Sequence, residues 1–236
     1  MSLETKVTTL LNQSPTSLPR GIKNAIRLFL LMNKFSFTML NPKNTNLKMA
    51  PPLVPDCHAC DKNCCSGSGN QVTLRLKDIA RLIDNNKEHY IDVKNKPQLE
   101  LKKYRFWERF HRRKDQEFLN IFPKLKQKDD GTCIFLTEDK KCSIHTIRPL
   151  VCRSFPYSLE QSLREITFSL SCSTFKKAEN ETDEKLVKQL FNDTITNYNE
   201  KIDDLIAVFL YPHELNKIGV QKYISYPYWF PKFLQS

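Results

Sequence analysis

The sequence predicts an α+β protein: a helix-dominated single domain with a small strand-and-loop, cysteine-rich core. Three observations predict it. There are only 5 glycines in 236 residues, too few for a turn-rich all-β architecture. The stretch from Asp183 to Phe209 carries Val187, Leu190, Phe191, Ile195, Tyr198, Ile202, Leu205, Ile206 and Phe209 at helical spacing, one apolar face opposite charged residues. Four of the 8 cysteines, Cys57, Cys60, Cys64 and Cys65, fall within a single loop-like stretch ending in Ser-Gly-Ser-Gly-Asn.

The chain reads as three regions. Residues 1–50 form an extension with one amphipathic helix. Residues 51–175 hold all the cysteines. Residues 176–236 contain the long helix and an aromatic tail packed on the domain. Hydrophobic residues make up 40% and charged ones 27%, ordinary for a soluble globular chain. Met1-Ser-Leu-Glu-Thr-Lys does not begin a signal peptide, and the apolar runs nearby are broken by Arg27 and Lys34, too short to span a bilayer. The expected compartment is therefore the cytoplasm. In that reducing setting clustered cysteines serve more often as ligands or redox groups than as disulfides.

In order along the chain, Met1 to Leu18 is polar and reads as loose. Gly21 to Leu31 reads as a helix, with Ile22, Ala25, Ile26, Phe29 and Leu30 at helical spacing. It suits either packing on the domain or lying on a membrane surface. Met39 and Met49 are alternative starts. Pro42 to Pro55 carries four prolines and reads as a linker. Val72 and Leu74 alternate like a short strand, and Asp78 to Ile83 reads as a helix ending near Asn85-Asn86.

Pro97 to Phe122 reads as a longer helix. On it Lys102, Arg105, Arg109 and Arg112 recur at three- and four-residue steps, which places the cations on one stripe. The formal net charge is +11, and between Lys87 and Lys128 there are 13 Lys and Arg against 6 Asp and Glu. The positive charge is thus local. It suits an acidic partner, protein or nucleic acid, or equally a solvated helix face. Asp129-Asp130-Gly131 is a turn signal between Phe122–Lys126 and Thr132–Leu136, suggesting a hairpin. A second strand pair is expected around Cys142–His145 and Ile166–Leu170. From Tyr223 to Phe233 the tail carries six aromatics, suited to anchoring on the core or to a partner groove.

A C-x-x-C step lets two thiolates turn toward one metal ion across a tight loop. Cys133, Cys142, Cys152 and Cys172 are too scattered to form a second local knuckle, so the fold is expected to bring them back to the first group and close a metal site. Thiolate suits zinc and iron–sulfur clusters alike. Four ligands for one cluster, with the rest structural or redox-active, is one division; two four-cysteine zinc sites is another. The gaps run opposite to the C-x-x-x-C-x-x-C of radical-SAM enzymes. The C-x-x-C-x-x-C spacing of two-cluster ferredoxins is also absent.

The second half carries a dense pattern: Asp130-Gly131-Thr-Cys133-Ile-Phe135-Leu136, then Lys141-Cys142-Ser-Ile144-His145-Thr-Ile-Arg148-Pro149-Leu-Val-Cys152-Arg153-Ser-Phe155-Pro156. With Cys57-x-x-Cys60-x-x-x-Cys64-Cys65 and Val72-x-Leu74-x-x-x-Asp78-Ile79-x-Arg81-Leu82, it resembles the YkgJ-like cysteine-cluster family, described as a zinc- or iron-chelating domain. The resemblance covers roughly Cys57 to Cys172. It implies that all eight cysteines are candidate ligands of an iron–sulfur cluster (4Fe–4S type) or zinc.

Arg148 and Arg153 match the segment R-P-x-x-C-R-x-F-P. A guanidinium there either stabilises the negative charge of a thiolate-rich site or ties loops to backbone carbonyls. Three departures stand out. Arg75 replaces a helix-capping threonine, which weakens the expected cap. His145 replaces tyrosine, as a further ligand or a hydrogen-bonded core histidine. Cys172 is followed by Ser173-Thr174 and not by a glycine-containing turn. His58, between two ligands, is expected to face solvent.

The leading expectation is a cytoplasmic metal-binding protein with no reaction assigned. A second is a cluster-dependent enzyme such as a protein-lysine methyltransferase, because flagellin lysine methylases are similar in the cysteine cluster. No Gly-rich nucleotide loop and no Ser/His/Asp set accompanies it, and no catalytic residue is identified. A third is a nucleic-acid-binding module with structural zinc, in which the stripe tracks phosphates and binding weakens steeply with salt.

Overall fold

The computed structural model describes residues 1–12, 48–56, 65, 71–93, 121–160, 165–169 and 172–225. They form helices α1 (Leu3–Leu11), α2 (Leu76–Asp84), α3 (Leu150–Ser154), α4 (Glu181–Leu210) and α5 (Pro212–Lys217). The strands are β1 (Leu53–Pro55), β2 (Ile91–Asp92), β3 (Lys124–Leu125), β4 (Tyr157–Glu160), β5 (Glu165–Phe168) and β6 (Phe175–Lys177). All three sheets are antiparallel pairs, β1 with β6, β2 with β3 and β4 with β5. The architecture is α+β, as the sequence predicts. The helix expected over Pro97–Phe122, the one over Gly21–Leu31 and the tail beyond Ser225 lie outside the described residues, apart from Ile121 and Phe122.

The chain divides into two compact units. One comprises Met1–Thr38, Thr73–Leu125 and Ile202–Ser236; the other comprises Met39–Val72 and Lys126–Lys201.

In the first unit, the segment read as loose from Met1 to Leu18 carries α1 over Leu3–Leu11. The reason is capping. Ser2 Oγ accepts from the Thr5 amide at 3.1 Å, and Asp84 accepts from the amides of Leu3 and Glu4 at 2.9 Å each. Those are donors a helix start otherwise leaves unpaired. Arg81 on α2 grips Glu4 at 2.6 Å, and Val7 and Leu10 are buried.

Helix α2 begins at Leu76 with Arg75 in the N-cap position, where, as the missing threonine foretold, that residue gives no side-chain cap bond. Two carboxylates take over: Asp78 Oδ2 accepts from the Arg75 amide at 3.0 Å, and Asp204 Oδ2, from α4, accepts from the Leu76 amide at 3.1 Å. The helix closes where Asn85-Asn86 predicts. Asn86 adopts a left-handed φ of 57°, with the Lys87 amide on the Leu82 carbonyl and the Asn86 amide on the Ile83 carbonyl, a Schellman arrangement.

The strand expected at Val72–Leu74 is a single bridge, Thr73 to Lys124. Lys124 also pairs with Asp92 in the β2–β3 register. It is buried, and desolvation holds its pKa below the ordinary lysine value while Asp92 opposes that shift.

In the second unit, the segment read as a proline linker ends in a strand. Leu53, Val54 and Pro55 pair with Lys177, Lys176 and Phe175. Proline has no N–H to give, yet Pro55 sits at the strand end, where a two-stranded ladder tolerates it.

The hairpin expected around Asp129-Asp130-Gly131 is present in a short form: a tight turn with one bridge beside it and the Ile134 amide on Lys126 O at 3.4 Å. The Lys128 amide bonds Thr132 O at 2.8 Å, Gly131 takes φ 79°, and Gln127 bridges Cys133. Farther from the turn the expected arm pairs elsewhere, Lys124 and Leu125 forming β3 with β2. Likewise Ile166 lies in β5, but its partner is β4 and not Cys142–His145, where a bridge to Leu136 and a 3-10 turn stand instead. Helix α4 matches the predicted long helix, and Val187, Leu190, Ile195 and Tyr198 are buried along it. Among the described residues no helix is long and apolar enough to cross a membrane.

Candidate metal centre

All eight cysteines belong to the second unit. Five are described: Cys65, Cys133, Cys142, Cys152 and Cys172, each a half-buried thiol. Cys57, Cys60 and Cys64 lie outside the described residues, as do His58 and the stripe Lys102, Arg105, Arg109 and Arg112.

Local hydrogen bonding sets where each described thiol sits. Cys133 follows the Lys128–Gly131 turn, which Asp130 stiffens by accepting from the Thr132 amide and hydroxyl. Those two bonds hold the Asp130 carboxyl below the usual range. The Cys133 amide then donates to the Cys65 carbonyl at 2.8 Å. That bond joins the end of the C-x-x-C-x-x-x-C-C stretch to a cysteine that follows it by 68 positions.

Cys142 bridges Leu136 across a second tight turn, closed by the Thr137 amide on Lys141 O at 2.9 Å with Lys140 at φ 59°. Cys133 and Cys142 are thereby flanking residues of two successive turns. Cys152 lies in α3, a short helix entered through Pro149, whose carbonyl takes the Cys152 amide at 2.9 Å. Proline before the first turn sets the entry angle without leaving an unpaired N–H.

Cys172 sits between β5 and β6, its amide on Ser169 O at 3.0 Å and its sulfur 3.6 Å from Thr174 O. Thr174 O also accepts from the Asp56 amide at 3.1 Å. The residue immediately before Cys57 is thus bonded two residues beyond Cys172.

The strand leading to Asp56 is held from behind by Tyr157. Its hydroxyl donates to Leu53 O at 2.6 Å, accepts from the Leu53 amide at 2.8 Å and lies 3.1 Å from Pro51 O. The ring packs edge-on against Phe168 and Phe191. Burial raises the Tyr157 pKa, the Leu53 bond opposes that, and the nearby Cys172 adds to the rise. Nothing in the spacing of the sequence points to Tyr157, because its partners are backbone atoms more than 100 positions away.

The remaining sequence-picked residues divide. His145 is exposed and not in the core. Its Nε2 lies 2.7 Å from Arg148 Nη1, so the ring nitrogen accepts and the guanidinium donates. Arg153 is half-buried, and its Nε is sealed from solvent with no hydrogen-bond partner among the described residues. Among the described residues no three His, Cys, Asp or Glu side chains group closely enough to hold a metal.

A family model matches residues 56–186, more than half of the chain. The chain belongs to the CxxCxxCC family. Its model carries the description "Putative zinc- or iron-chelating domain". The matched span takes in all eight cysteines, Arg148, Arg153 and Tyr157. Three residues, Asp61, Lys62 and Asn63, separate the second cysteine from the Cys64-Cys65 pair, one more than the family's name writes. No curated protein and no solved structure matches the chain. Metal chelation is therefore the function that membership in the CxxCxxCC family supports. The donor set fits it: soft sulfur ligands suit zinc and iron, and a sealed guanidinium N–H fits a site that gathers negative charge.

Proposed function

We propose that this CxxCxxCC chain holds an iron–sulfur cluster or zinc through Cys57, Cys60, Cys64, Cys65, Cys133, Cys142, Cys152 and Cys172, taken up in the cytoplasm. The observation that carries the reading is the bond from the Cys133 amide to the Cys65 carbonyl. It draws one member of the downstream set to the cysteine-dense stretch, which is what a shared centre needs. The pairing of β1 with β6 supports it from the other end of the stretch, since it fixes the chain at Asp56 against Thr174.

When bound, a thiolate-ligated iron centre supplies electron transfer or substrate activation, and zinc supplies a structural cross-link. The chain's own residues position the thiols. The two turns at Lys128–Gly131 and Thr137–Lys141 present Cys133 and Cys142, α3 presents Cys152, and Tyr157 fixes the approach to Cys57. The basic stripe is read as a surface for an acidic partner, protein or nucleic acid.

The test is metal content per chain, by elemental analysis, for the native sequence and for Cys65→Ser and Cys133→Ser. Each substitution is expected to lower bound iron or zinc by more than half while Cys→Ser at neither position alters the far-ultraviolet signature of α1, α2 and α4. Equal metal in all three proteins would remove Cys65 and Cys133 from the site.

A further inference from the structure

The two-stranded pair β1–β6 has one edge closed and one edge open. The Asp56 amide donates to Thr174 O at 3.1 Å and the Ala178 amide to Pro52 O at 3.0 Å, which marks both as hydrogen-bonded positions of the ladder. Antiparallel pairs alternate, so Val54 and Lys176 form the hydrogen-bonded pair between them. Leu53 and Pro55 on β1, and Phe175 and Lys177 on β6, therefore turn their backbone polar groups away from the ladder. On β1 that side is taken up: Tyr157 holds both polar atoms of Leu53, and Pro55 has no N–H. On β6 it is open. No hydrogen bond reaches the backbone of Phe175 or Lys177 among the described residues, and all three residues of β6 are exposed.

Open edges are ordinarily guarded by free charges, prolines or bulges. The guard on β6 is partial. Lys176 has its ammonium on Asp183 at 3.0 Å, and the proline of the pair stands on β1. Phe175 stacks edge-on against Phe168 yet leaves 48% of its surface in solvent. A pair of three-residue strands also falls short of the three strands that a stable sheet ordinarily needs.

We propose that β6 is a self-association edge, pairing antiparallel with β6 of a second copy of this chain to extend the sheet as β1–β6–β6–β1 about a twofold axis at Lys176. The open groups set the register. Phe175 of one copy lies opposite Lys177 of the other, and each such pair exchanges both backbone bonds. Phe175 and Lys177 share one face, so each Lys177 ammonium comes over the exposed part of a phenyl ring, and symmetry makes this cation–π pair twice. Lys176 meets its own counterpart on the axis, where the Asp183 carboxylates offset the repulsion. The strands are short, so the dimer is weak, with a dissociation constant of about 0.1 mM.

The experiment is sedimentation equilibrium of the full chain over a concentration series, with a phosphine reductant present to exclude disulfides between chains. The native chain is expected to pass from monomer to dimer as concentration rises. Phe175→Lys sets like charges opposite each other twice and is expected to weaken the dimer about tenfold or more. Phe175→Glu sets a carboxylate opposite each Lys177 and is expected to keep the dimer or tighten it.

A native chain that stays monomeric at every concentration at which it dissolves would overturn the proposal. So would a dimer that Phe175→Lys and Phe175→Glu affect alike, because the register would then place no cation opposite Phe175. If Phe175→Lys does not fold, Lys177→Glu decides: it puts a carboxylate over the ring and is expected to weaken the dimer, and native association there would overturn the proposal equally.

Discussion

A single hydroxyl shows how this chain places its cysteines. Tyr157 Oη holds both polar atoms of the Leu53 backbone, and the strand it holds runs into Asp56 and the cysteine-dense stretch. Tyr157→Phe leaves the Leu53 amide and carbonyl without that partner in a half-buried place, a loss of about 1–2 kcal/mol. Urea unfolding is expected to show that loss. Faster metal release at unchanged helix content is expected beside it; unchanged stability would mean that water replaces the hydroxyl. Asp204 makes a similar point in the first unit. It is fully buried, and its carboxylate caps α2 through the Leu76 amide in place of the threonine the sequence lacks. Asp204→Ala is expected to cost about 1–2 kcal/mol, the usual range for a lost helix cap, read by thermal or urea unfolding. The sequence pointed to the cysteines because ligand chemistry leaves a spacing. It pointed to the defect at Arg75 because capping preferences are local. It was silent on Tyr157 and Asp204, whose partners are backbone groups distant along the chain and therefore leave no pattern.

At the scale of elements, the legible ones were those with a period or a stop signal. The apolar face of α4 spans many turns, and Asn85-Asn86 ends α2 by the left-handed turn that asparagine tolerates. The short elements were not legible. Helix α1 has only two buried residues, and its formation depends on the Asp84 carboxylate capping it from α2. Strand β1 is three residues ending in proline, recognisable only through its partner β6. The two turns around Cys133 and Cys142 were half legible: the glycine turn and its short arms were visible, whereas the pairing of Lys124 and Leu125 with β2 and of Cys142 with Leu136 was not.

The start of α4 carries a pH-dependent link to β6. Asp183 accepts from Lys176 at 3.0 Å, and this bond lowers the Asp183 pKa against the opposing effect of burial, while it raises that of Lys176. A depressed carboxylate contributes stability above its ordinary pKa and loses it as pH falls through the lowered folded value. The raised lysine contributes below its ordinary pKa and loses that as pH rises through the raised value. Both contributions are complete between those limits. Asp183→Asn is therefore expected to flatten the acid limb of a stability–pH curve and leave its neutral plateau shape unchanged. An acid limb as steep as the native one would show that other carboxylates set it.

At the scale of the molecule, the eight cysteines lie in one of the two units, and the helices α1, α2 and α5 lie in the other. Metal-binding free energy is folding free energy where the ligands come from separated loops. Stripping the metal is thus expected to raise amide exchange in 126–172 strongly while α1 and α2 keep their protection, as mapped by hydrogen exchange. Equal loss of protection in both units would mean that the two fold as one. The most direct test of the central claim is the number of metal ions, and of labile sulfides, per chain in protein purified without oxygen. Iron with sulfide, or zinc, at one or more per chain is the predicted result. A correctly folded chain that carries no metal and takes up neither iron nor zinc would contradict it.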